Sequence, residues 1–171
     1  VKTNCSNNYG PWQFPEKLIP LVILKALKNE SIPLYGDGCN IRDWLFIDDH
    51  INGILLAAIK GRIGETYCIG ANQEKTNKEV VISICNLIDE YKPTKISRKN
   101  LITYVEDRSG HDKRYAINSS KIKEELNWTP FYDFNTGIKQ TVKWYISNIE
   151  WCYNMQKKSR YYGERLGISR K

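Results

Sequence analysis

The stretch TNCSNNYGPWQFPEKLIP, residues 3–20, decides the fold. It begins in the tail of a predicted strand, continues with two neighbouring amides, Asn7 and Asn8, and turns at residues 9–11 before a strongly apolar helix. Open α/β sheets bind ligands beyond the carboxyl ends of their strands, so the two amides indicate a ligand site. Asparagine and Gly-Pro pairs also form ordinary turns, and the pattern alone leaves both interpretations open.

Length and composition are those of a folded domain. The chain has 171 residues, of which 41% are hydrophobic and 26% charged, enough for one core. The longest apolar run, over residues 18–27, is well short of the ~20 residues that span a bilayer. No signal peptide is recognised, but the chain begins with Val1, so an upstream targeting segment stays an open alternative.

The charge balance suits an anionic partner. The formal net charge is +7, which fits either a nucleic acid or a phosphorylated small molecule. The basic residues are scattered, and their only dense cluster, near residues 157–160, is typical of a solvated tail. Because no docking motif is present, we expect neither a nucleic-acid partner nor a membrane partner.

The cysteines predict a reducing compartment. Their number is odd, their spacing is irregular, and no two are separated by only two residues. We therefore expect free thiols, no metal site and a cytoplasmic protein. The five are Cys5, Cys39, Cys68, Cys85 and Cys152.

Hydrophobic periodicity predicts alternating short strands and helices. Strands are expected over residues 1–3, 32–35, 41–47, 65–69, 101–105 and 115–117. Helices are expected from about residue 15 to 28, and over 49–60, 77–91, 119–127 and 135–149. Asp48 and Asn77 are the expected N-caps of the second and third helices. Residues 93–100 are expected to be an unstructured linker.

The strands are too short and too mixed for the central parallel sheet of a complete doubly wound domain. The pattern instead predicts an α/β lobe of small sheets flanked by helices. We assign residues 1–151 to this lobe, with 1–15 as the tail of a partner half, and 152–171 to a fraying basic tail. The first helix is apolar nearly all round, so it should be buried. In this chain alone we expect part of its apolar face to be exposed, which argues for a partner.

Two arginines are the best phosphate ligands. Guanidinium groups bind phosphate oxygens through two parallel hydrogen bonds. Arg42 lies in a predicted strand between apolar neighbours, and Arg108 lies in a Gly-His loop. An arginine is ordinarily a surface residue, and it is the sequence setting of these two that makes them candidates for phosphate binding.

Four segments together resemble the nucleotide-sugar dehydratases of the extended short-chain dehydrogenase/reductase family. They are residues 3–20, PLYGDG (33–38), IRDWL (41–45) and DRSGHDKRYAI (107–117), and the resemblance continues to about residue 151. It implies that the chain is the carboxy-terminal substrate lobe of such an enzyme. The Rossmann half, with its glycine-rich turn and Tyr-x-x-x-Lys pair, would precede residue 1.

The resemblance also implies the binding residues. Asn8 would contact the cofactor NAD, which is held mainly by the other half. Tyr35 would be a platform for the nucleotide base, although an aromatic in a half-buried strand is an equally good interpretation. The substrate-binding residues would be Asn7, Lys17, Leu18, Pro20, Val22, Pro33, Leu34, Tyr35, Arg42, Asn77, Asp107, Arg108 and His111.

Two positions need separate comment. Ser109 replaces the proline of the family's Asp-Arg-Pro-Gly-His loop, which should loosen the loop without removing a binding side chain. The second histidine, His50, is assigned a structural role, and no catalytic residue is expected in this chain.

The implied reaction is the NAD-dependent conversion of a nucleoside diphosphate sugar to a 4-keto-6-deoxy sugar. A dTDP-sugar is favoured over UDP-, CDP- or GDP-sugars by residues 12–17 and 110–115. The tyrosine base and the carboxylate pair would lie upstream, so these 171 residues alone should be inactive. The partner would be the missing half or a second subunit. A non-catalytic nucleotide-sugar-binding module, another nucleotide-sugar epimerase or dehydratase, and a basic nucleic-acid-binding protein are the alternatives.

Overall fold

A computed structural model describes residues 1–159. Its helices are α1 (Leu18–Leu27), α2 (Ile47–Lys60), α3 (Asn77–Tyr91), α4 (Ser120–Leu126), α5 (Phe134–Ser147) and α6 (Ile149–Ser159), with a 3-10 helix at Arg98–Leu101. Its strands are β1 (Lys2–Cys5), β2 (Asn7–Tyr9), β3 (Ile32–Tyr35), β4 (Ile41–Phe46), β5 (Thr66–Ile69), β6 (Glu74–Thr76), β7 (Ile102–Val105) and β8 (Arg114–Tyr115).

The strands form three small sheets. β1 pairs with β5 and β3 pairs with β7, each in parallel. In the third sheet β4 lies between β2 and β6 and also pairs with β8, and its pairings with β2 and β8 are parallel. The predicted α/β arrangement of short strands and flanking helices is confirmed.

The chain folds as two compact units whose segments alternate along the sequence. The first unit contains Val1–Gly10, Asn40–Lys75 and Asp112–Gly137. The second contains Pro11–Cys39, Thr76–His111 and the chain from Ile138 onward. The predicted division of the chain into a lobe over residues 1–151 and a tail over 152–171 stays a prediction.

Helix α1 is the centre of the second unit. Val22 and Ile23 are fully buried, because α3 and β3 lie against α1. Val80 and Ile84 of α3 are also fully buried. The predicted burial of α1 is confirmed, and the expectation that it exposes an apolar face is wrong, because every residue from Ile19 to Leu24 is buried.

Helix α2, in the first unit, buries its small residues instead. Ala57 is fully buried, and Gly53 lies so close to Ile69 that an added Cβ would be 2.9 Å from it. The apolar stripe on the opposite side is exposed, with Leu55 at 53% and Ile59 at 78%. Close approach of a helix to a neighbouring strand requires small side chains, so the larger residues face outward.

Two predicted N-caps are wrong. The N-cap of α2 is Phe46, which makes no side-chain cap, and Asp48 lies in the first turn. The N-cap of α3 is Thr76, whose hydroxyl accepts a bond from the Glu79 amide at 3.1 Å. The Glu79 carboxylate in turn accepts a bond from the Thr76 amide at 2.7 Å, completing a capping box that leaves Asn77 as the first helical residue.

The segment predicted to be an unstructured linker is anchored by a buried arginine. Arg98 is only 4% exposed and forms an ion pair of 2.9 Å with Asp89. It also donates to the carbonyl oxygens of Ala26 at 3.0 Å and Lys92 at 2.7 Å. These bonds tie the 3-10 helix to the ends of α1 and α3.

The carboxy-terminal helix extends further than predicted. Residues 152–159 continue α6, and Cys152 is buried, so the expected fraying after Trp151 is wrong up to Ser159. The remainder of the predicted basic tail lies outside the described residues. Cys85 is a core residue, as predicted, and none of the five cysteines forms a disulfide bond within residues 1–159.

No helix among residues 1–159 is long and apolar enough to cross a membrane.

Candidate functional site

The candidate site of the second unit begins at the ends of β3 and β7. In their parallel register Tyr35 lies opposite Val105, so both strands finish at the same edge. Gly36 follows with a φ of +55°, a conformation that favours glycine. A Cβ added to Gly36 would be 3.1 Å from the Asp107 carboxylate, so the missing side chain lets the loop after β7 approach.

That loop places an arginine on the tyrosine ring. The guanidinium carbon of Arg108 is 4.9 Å from the centre of the Tyr35 ring, within the range of a cation–π contact. The His111 ring meets Tyr35 edge-on, with centroids 6.3 Å apart. We call Tyr35, Asp107, Arg108 and His111 the Arg108 cluster.

Hydrogen bonds join the other members of the Arg108 cluster. Oδ1 of Asp107 is 2.6 Å from Nδ1 of His111, and Nη2 of Arg108 is 3.1 Å from Nε2 of the same ring. The His111 side chain is only 7% exposed. The hydrogen bond from His111 lowers the pKa of Asp107 below its usual value.

The Arg108 cluster can bind an anion. Arg108 is exposed, and within the described part of the chain no carboxylate forms an ion pair with its guanidinium. A guanidinium has five N–H donors, of which the contact with His111 uses one. The remaining donors can form the paired hydrogen bonds that a phosphate group accepts.

The predicted residues around α1 fall into two groups. Lys17 is 60% exposed at its side chain and forms an ion pair of 3.2 Å with Glu16, so its ammonium group is accessible. Leu18 is half-buried. Two predicted binding residues on α1 and two on β3 have core side chains and can offer a ligand only backbone atoms. They are Pro20, Val22, Pro33 and Leu34.

Asn77 is half-buried as the first residue of α3. Because Thr76 caps the helix, the Asn77 side chain is not needed as a cap. Of the two roles predicted for Asn77, the substrate contact is the one that remains.

The predicted residues of the first unit lie on two adjacent strands. Asn7 and Asn8 form part of β2, a strand that sequence patterns did not predict, and Asn7 pairs with Trp44 of β4. Oδ1 of Asn7 is buried and has no hydrogen-bond partner within residues 1–159. Asn8 donates through Nδ2 to Sγ of Cys5 at 3.1 Å, which fixes its amide.

Arg42 is held in place by backbone carbonyls. Its Nη1 donates to the oxygen of Ile41 at 2.7 Å, and its Nη2 donates to the oxygen of Asp112 at 2.8 Å. No ion pair to Arg42 occurs among the described residues, so its positive charge is not neutralised by a carboxylate. Arg42 is therefore oriented and still able to bind an anion.

The first unit also has a polar cavity that sequence reasoning missed. Its volume is about 340 Å³, and its lining includes Asp43, Asn72 and the ion-paired Arg114 and Glu74. Asp43 is fully buried and accepts a bond from the Gln73 amide at 2.8 Å. In the sequence, the one indication that Asp43 could line a site was its place directly after Arg42 in the IRDWL segment.

His50 lies on α2 in the first unit. Burial lowers its pKa, which favours a neutral ring. Its structural role stays a prediction.

Comparison with known proteins identifies the family of this chain. Residues 1–141 match the sequence profile of the GDP-mannose 4,6 dehydratase family. The chain belongs to this family. A similar curated relative is the dTDP-glucose 4,6-dehydratase of Xanthomonas campestris pv. campestris (strain ATCC 33913), 54% identical over 171 residues. That alignment covers 99% of this chain but 48% of the relative, so the chain spans about half the length of the curated relatives it matches.

Solved structures of the family are also similar. The dTDP-glucose 4,6-dehydratase of Bacillus anthracis str. Ames, in complex with NAD, has a TM-score of 0.80 and 51% identity. The matched region is 90% of this chain and 46% of the Bacillus anthracis chain. The dTDP-glucose 4,6-dehydratase of Streptomyces venezuelae, with NAD and dTDP bound, has a TM-score of 0.83 and 41% identity. The matched region is 90% of this chain and 45% of the Streptomyces venezuelae chain.

Proposed function

We propose that the chain is the carboxy-terminal, substrate-binding part of a dTDP-glucose 4,6-dehydratase, a lyase that forms dTDP-4-keto-6-deoxyglucose and water. The observation that carries the proposal is the 54% identity to such an enzyme over 171 residues. The Arg108 cluster also supports it, because it offers a guanidinium held by Tyr35 and His111 that forms no ion pair with a carboxylate among the described residues.

Each predicted residue has a role in this proposal. Arg42 in the first unit and Arg108 in the second are each proposed as a phosphate ligand, since each is oriented by neighbours and neither is paired with a carboxylate among the described residues. Lys17, Asn7 and Asn77 contact the substrate through polar side chains. The core residues between 18 and 34 contribute backbone groups, and Asp107 and His111 act within the Arg108 cluster.

NAD is the cofactor in this proposal, and it would accept and return hydride. Asn8 fits a single contact to it, because β2 and Cys5 hold the amide in one orientation. No glycine-rich turn joins a strand to a helix in the manner of a dinucleotide site within the sequence. The other half of the parent enzyme would therefore supply most of the NAD site, and the base and carboxylates of the dehydration.

The remaining assignments follow from this role. The parent enzyme would act in deoxysugar biosynthesis in the cytoplasm. Its partners would be a dTDP-sugar, the dinucleotide-binding half and a second subunit, and not a nucleic acid. The exposed stripe of α2, centred on Leu55 and Ile59, is an apolar face that such an assembly could cover.

Calorimetry on the 171-residue chain tests the proposal. We expect binding of dTDP, weaker binding of UDP, weak or no binding of NAD⁺, and no turnover of dTDP-glucose with NAD⁺ added. Arg42→Ala should weaken dTDP, and the exposed Lys158→Ala, far from the predicted motifs in sequence, should not. Tighter binding of UDP than of dTDP would reassign the nucleotide, and an absence of nucleotide binding would refute the proposal.

A second candidate is a nucleotide-sugar-binding module that functions without catalysis. It gains support from α1, whose residues from Ile19 to Leu24 are buried in this chain without a second polypeptide. Intact mass of the protein from its source separates the two candidates. A mass near twice 19.9 kDa favours the dehydratase, and a mass near 19.9 kDa favours the module.

A further inference from the structure

The second unit has a cavity of its own, beside the 3-10 helix that Arg98 ties to the ends of α1 and α3. Its volume is about 310 Å³, at the lower end of the range for small-molecule sites. It is lined by Asn29, which follows α1, and by residues between 94 and 101. None of these described lining residues is among the predicted substrate-binding residues.

This cavity is distant from the predicted substrate contacts of the same unit. Lys17 and Asn77 lie at the amino ends of α1 and α3. These helices have 10 and 15 residues, so their carboxyl ends are about 15 Å and about 22 Å from their starts. The Arg108 cluster lies at the carboxyl ends of β3 and β7, whereas Asn29 and Leu101 precede the amino ends of these strands. The cavity is therefore a separate feature of the unit.

Arg98, which lines the cavity, has one guanidinium nitrogen without a partner. Its Nε donates to the oxygen of Ala26, and its Nη1 donates to Asp89 and to the oxygen of Lys92. Its Nη2 has no hydrogen-bond partner within residues 1–159, although the side chain is only 4% exposed. This nitrogen carries two N–H donors, and a buried donor without an acceptor costs free energy. Arg98 therefore favours a ligand that brings an acceptor.

The segment around the cavity is positively charged. Residues 92–99 contain four basic residues and no acidic residue. Three of them, Lys92, Lys95 and Lys99, are exposed and form no ion pair within the described part of the chain. Asp89 balances the charge of Arg98, so the net positive charge comes from the lysines, of which Lys95 lines the cavity. This balance suits an anion of low charge.

The walls and the remaining donor define the kind of anion. Ile96 and Leu101 line the cavity, and the Ile96 side chain is 67% exposed, so an apolar group can pack on it. Because Nε and Nη1 of Arg98 are engaged, the paired hydrogen bonds that arginine forms with a phosphate are not available. A carboxylate can bind Nη2 through one oxygen and carry an apolar chain along the wall.

We propose that this cavity binds a small organic carboxylate, with the carboxylate at Arg98 and Lys95 and its apolar chain against Ile96 and Leu101. The site goes beyond the proposed function, because neither the dTDP-sugar nor NAD has this chemistry. Its occupation does not require dTDP.

A homologous series tests both parts of the ligand. Acetate, butanoate and hexanoate carry the same charge and differ in apolar length, and hexanol has the chain without the charge. In NMR titrations of the nitrogen-labelled 171-residue chain, hexanoate should shift the backbone amides of residues 95–101 in a saturable manner. Affinity should fall by up to about fourfold for each methylene removed. Hexanol should bind at least about tenfold more weakly than hexanoate.

Several results would overturn the proposal. Equal affinities for acetate and hexanoate, or inorganic phosphate binding as tightly as hexanoate, would show that charge alone is recognised. Hexanoate shifts that are not saturable, or that fall outside residues 95–101, would show that the cavity takes no carboxylate. The titration is repeated with saturating dTDP, which should leave the hexanoate shifts unchanged. Competition would place hexanoate at the nucleotide site instead.

Matched variants locate the ligand without removing Arg98, which anchors the segment. Lys95→Ala and Ile96→Ser should each weaken hexanoate at least about twofold. Lys99→Ala, a neighbouring lysine outside the lining, and Ile63→Ser, an isoleucine 98% exposed in the first unit, should leave its affinity unchanged. Thermal unfolding establishes that each variant is folded. Equal weakening by Lys95→Ala and Lys99→Ala, or by the two isoleucine variants, would contradict a site in this cavity.

Discussion

The Asp107 carboxylate and the His111 ring are joined by the shortest link of the Arg108 cluster, 2.6 Å between Oδ1 and Nδ1. Asp107 follows β7 by two residues, and His111 is four residues further along the same loop. The contact closes the loop on itself and turns the histidine towards Arg108. The conformation of this loop therefore sets the position of the Arg108 guanidinium that a diphosphate would meet.

The first prediction concerns pH. The hydrogen bond from His111 lowers the pKa of Asp107 below the ordinary 3.8. Its contribution to stability is therefore fully present above pH 3.8 and is lost as the pH falls through the lower folded-state value. Carbon NMR of the Asp107 carboxyl should show this low pKa, and His111→Ala should raise it towards the ordinary value. An unchanged pKa in the variant would show that His111 is not the cause.

The second prediction separates capping from binding at the start of α3. Thr76→Ala removes the capping box and should lower the free energy of unfolding by about 1 kcal/mol. Asn77→Ala should change stability little but weaken dTDP. Urea unfolding and calorimetry check both variants. If Asn77→Ala destabilised the chain as much as Thr76→Ala, Asn77 would share the capping role.

The third prediction concerns Arg98. Arg98→Ala leaves two carbonyl oxygens and the Asp89 carboxylate without their buried partner, and should cost about 3–5 kcal/mol. The exposed neighbour Lys99→Ala is the control and should cost less than about 0.5 kcal/mol. Equal unfolding midpoints for the two variants in urea would contradict the anchoring role.

The fourth prediction concerns the two sides of α2. Leu55→Lys replaces an exposed side chain and should change the free energy of unfolding of this chain by less than about 0.5 kcal/mol. Ala57→Leu enlarges a fully buried side chain and should cost about 1–3 kcal/mol through overpacking. Thermal unfolding of the two variants distinguishes these sides, and equal losses would mean that Leu55 is covered.

Strong local patterns predicted most elements correctly. Strand β3 coincides with its prediction, and α3 ends at the predicted residue, because hydrophobic periodicity and turn residues marked these ends. Very short strands escaped notice: β2 and β6 have three residues each, too few for a periodic pattern. Their existence depends on β4, which lies between them and provides the hydrogen bonds.

The burial of helix faces could not be predicted from sequence, and the reason is the same for α1 and α2. Sequence shows which residues of α1 and α2 share a face, but not which neighbour the face meets. Burial of α1 depends on α3, which is distant in sequence, and exposure of Leu55 depends on the close approach of Gly53 to β5. The capping box at Thr76 was visible as Thr-x-x-Glu and was missed because Asn77 looked like a cap.

The candidate site was predicted in composition but not in arrangement. The motifs named Tyr35, Arg108 and His111 individually. Only the pairing of β3 with β7 shows that the three side chains meet, and that the arginine lies on the tyrosine ring. Sequence alone also could not show that Val22 and Leu34 have core side chains, since apolar residues line both cores and pockets.

The most direct test of the central claim is nitrogen NMR of the two histidine rings during a dTDP titration of the 171-residue chain. The account predicts that the His111 signals move in proportion to bound dTDP, that those of His50 on α2 stay in place, and that Arg108→Ala weakens the response. Saturable dTDP binding that leaves His111 unmoved would place the nucleotide elsewhere and contradict the account.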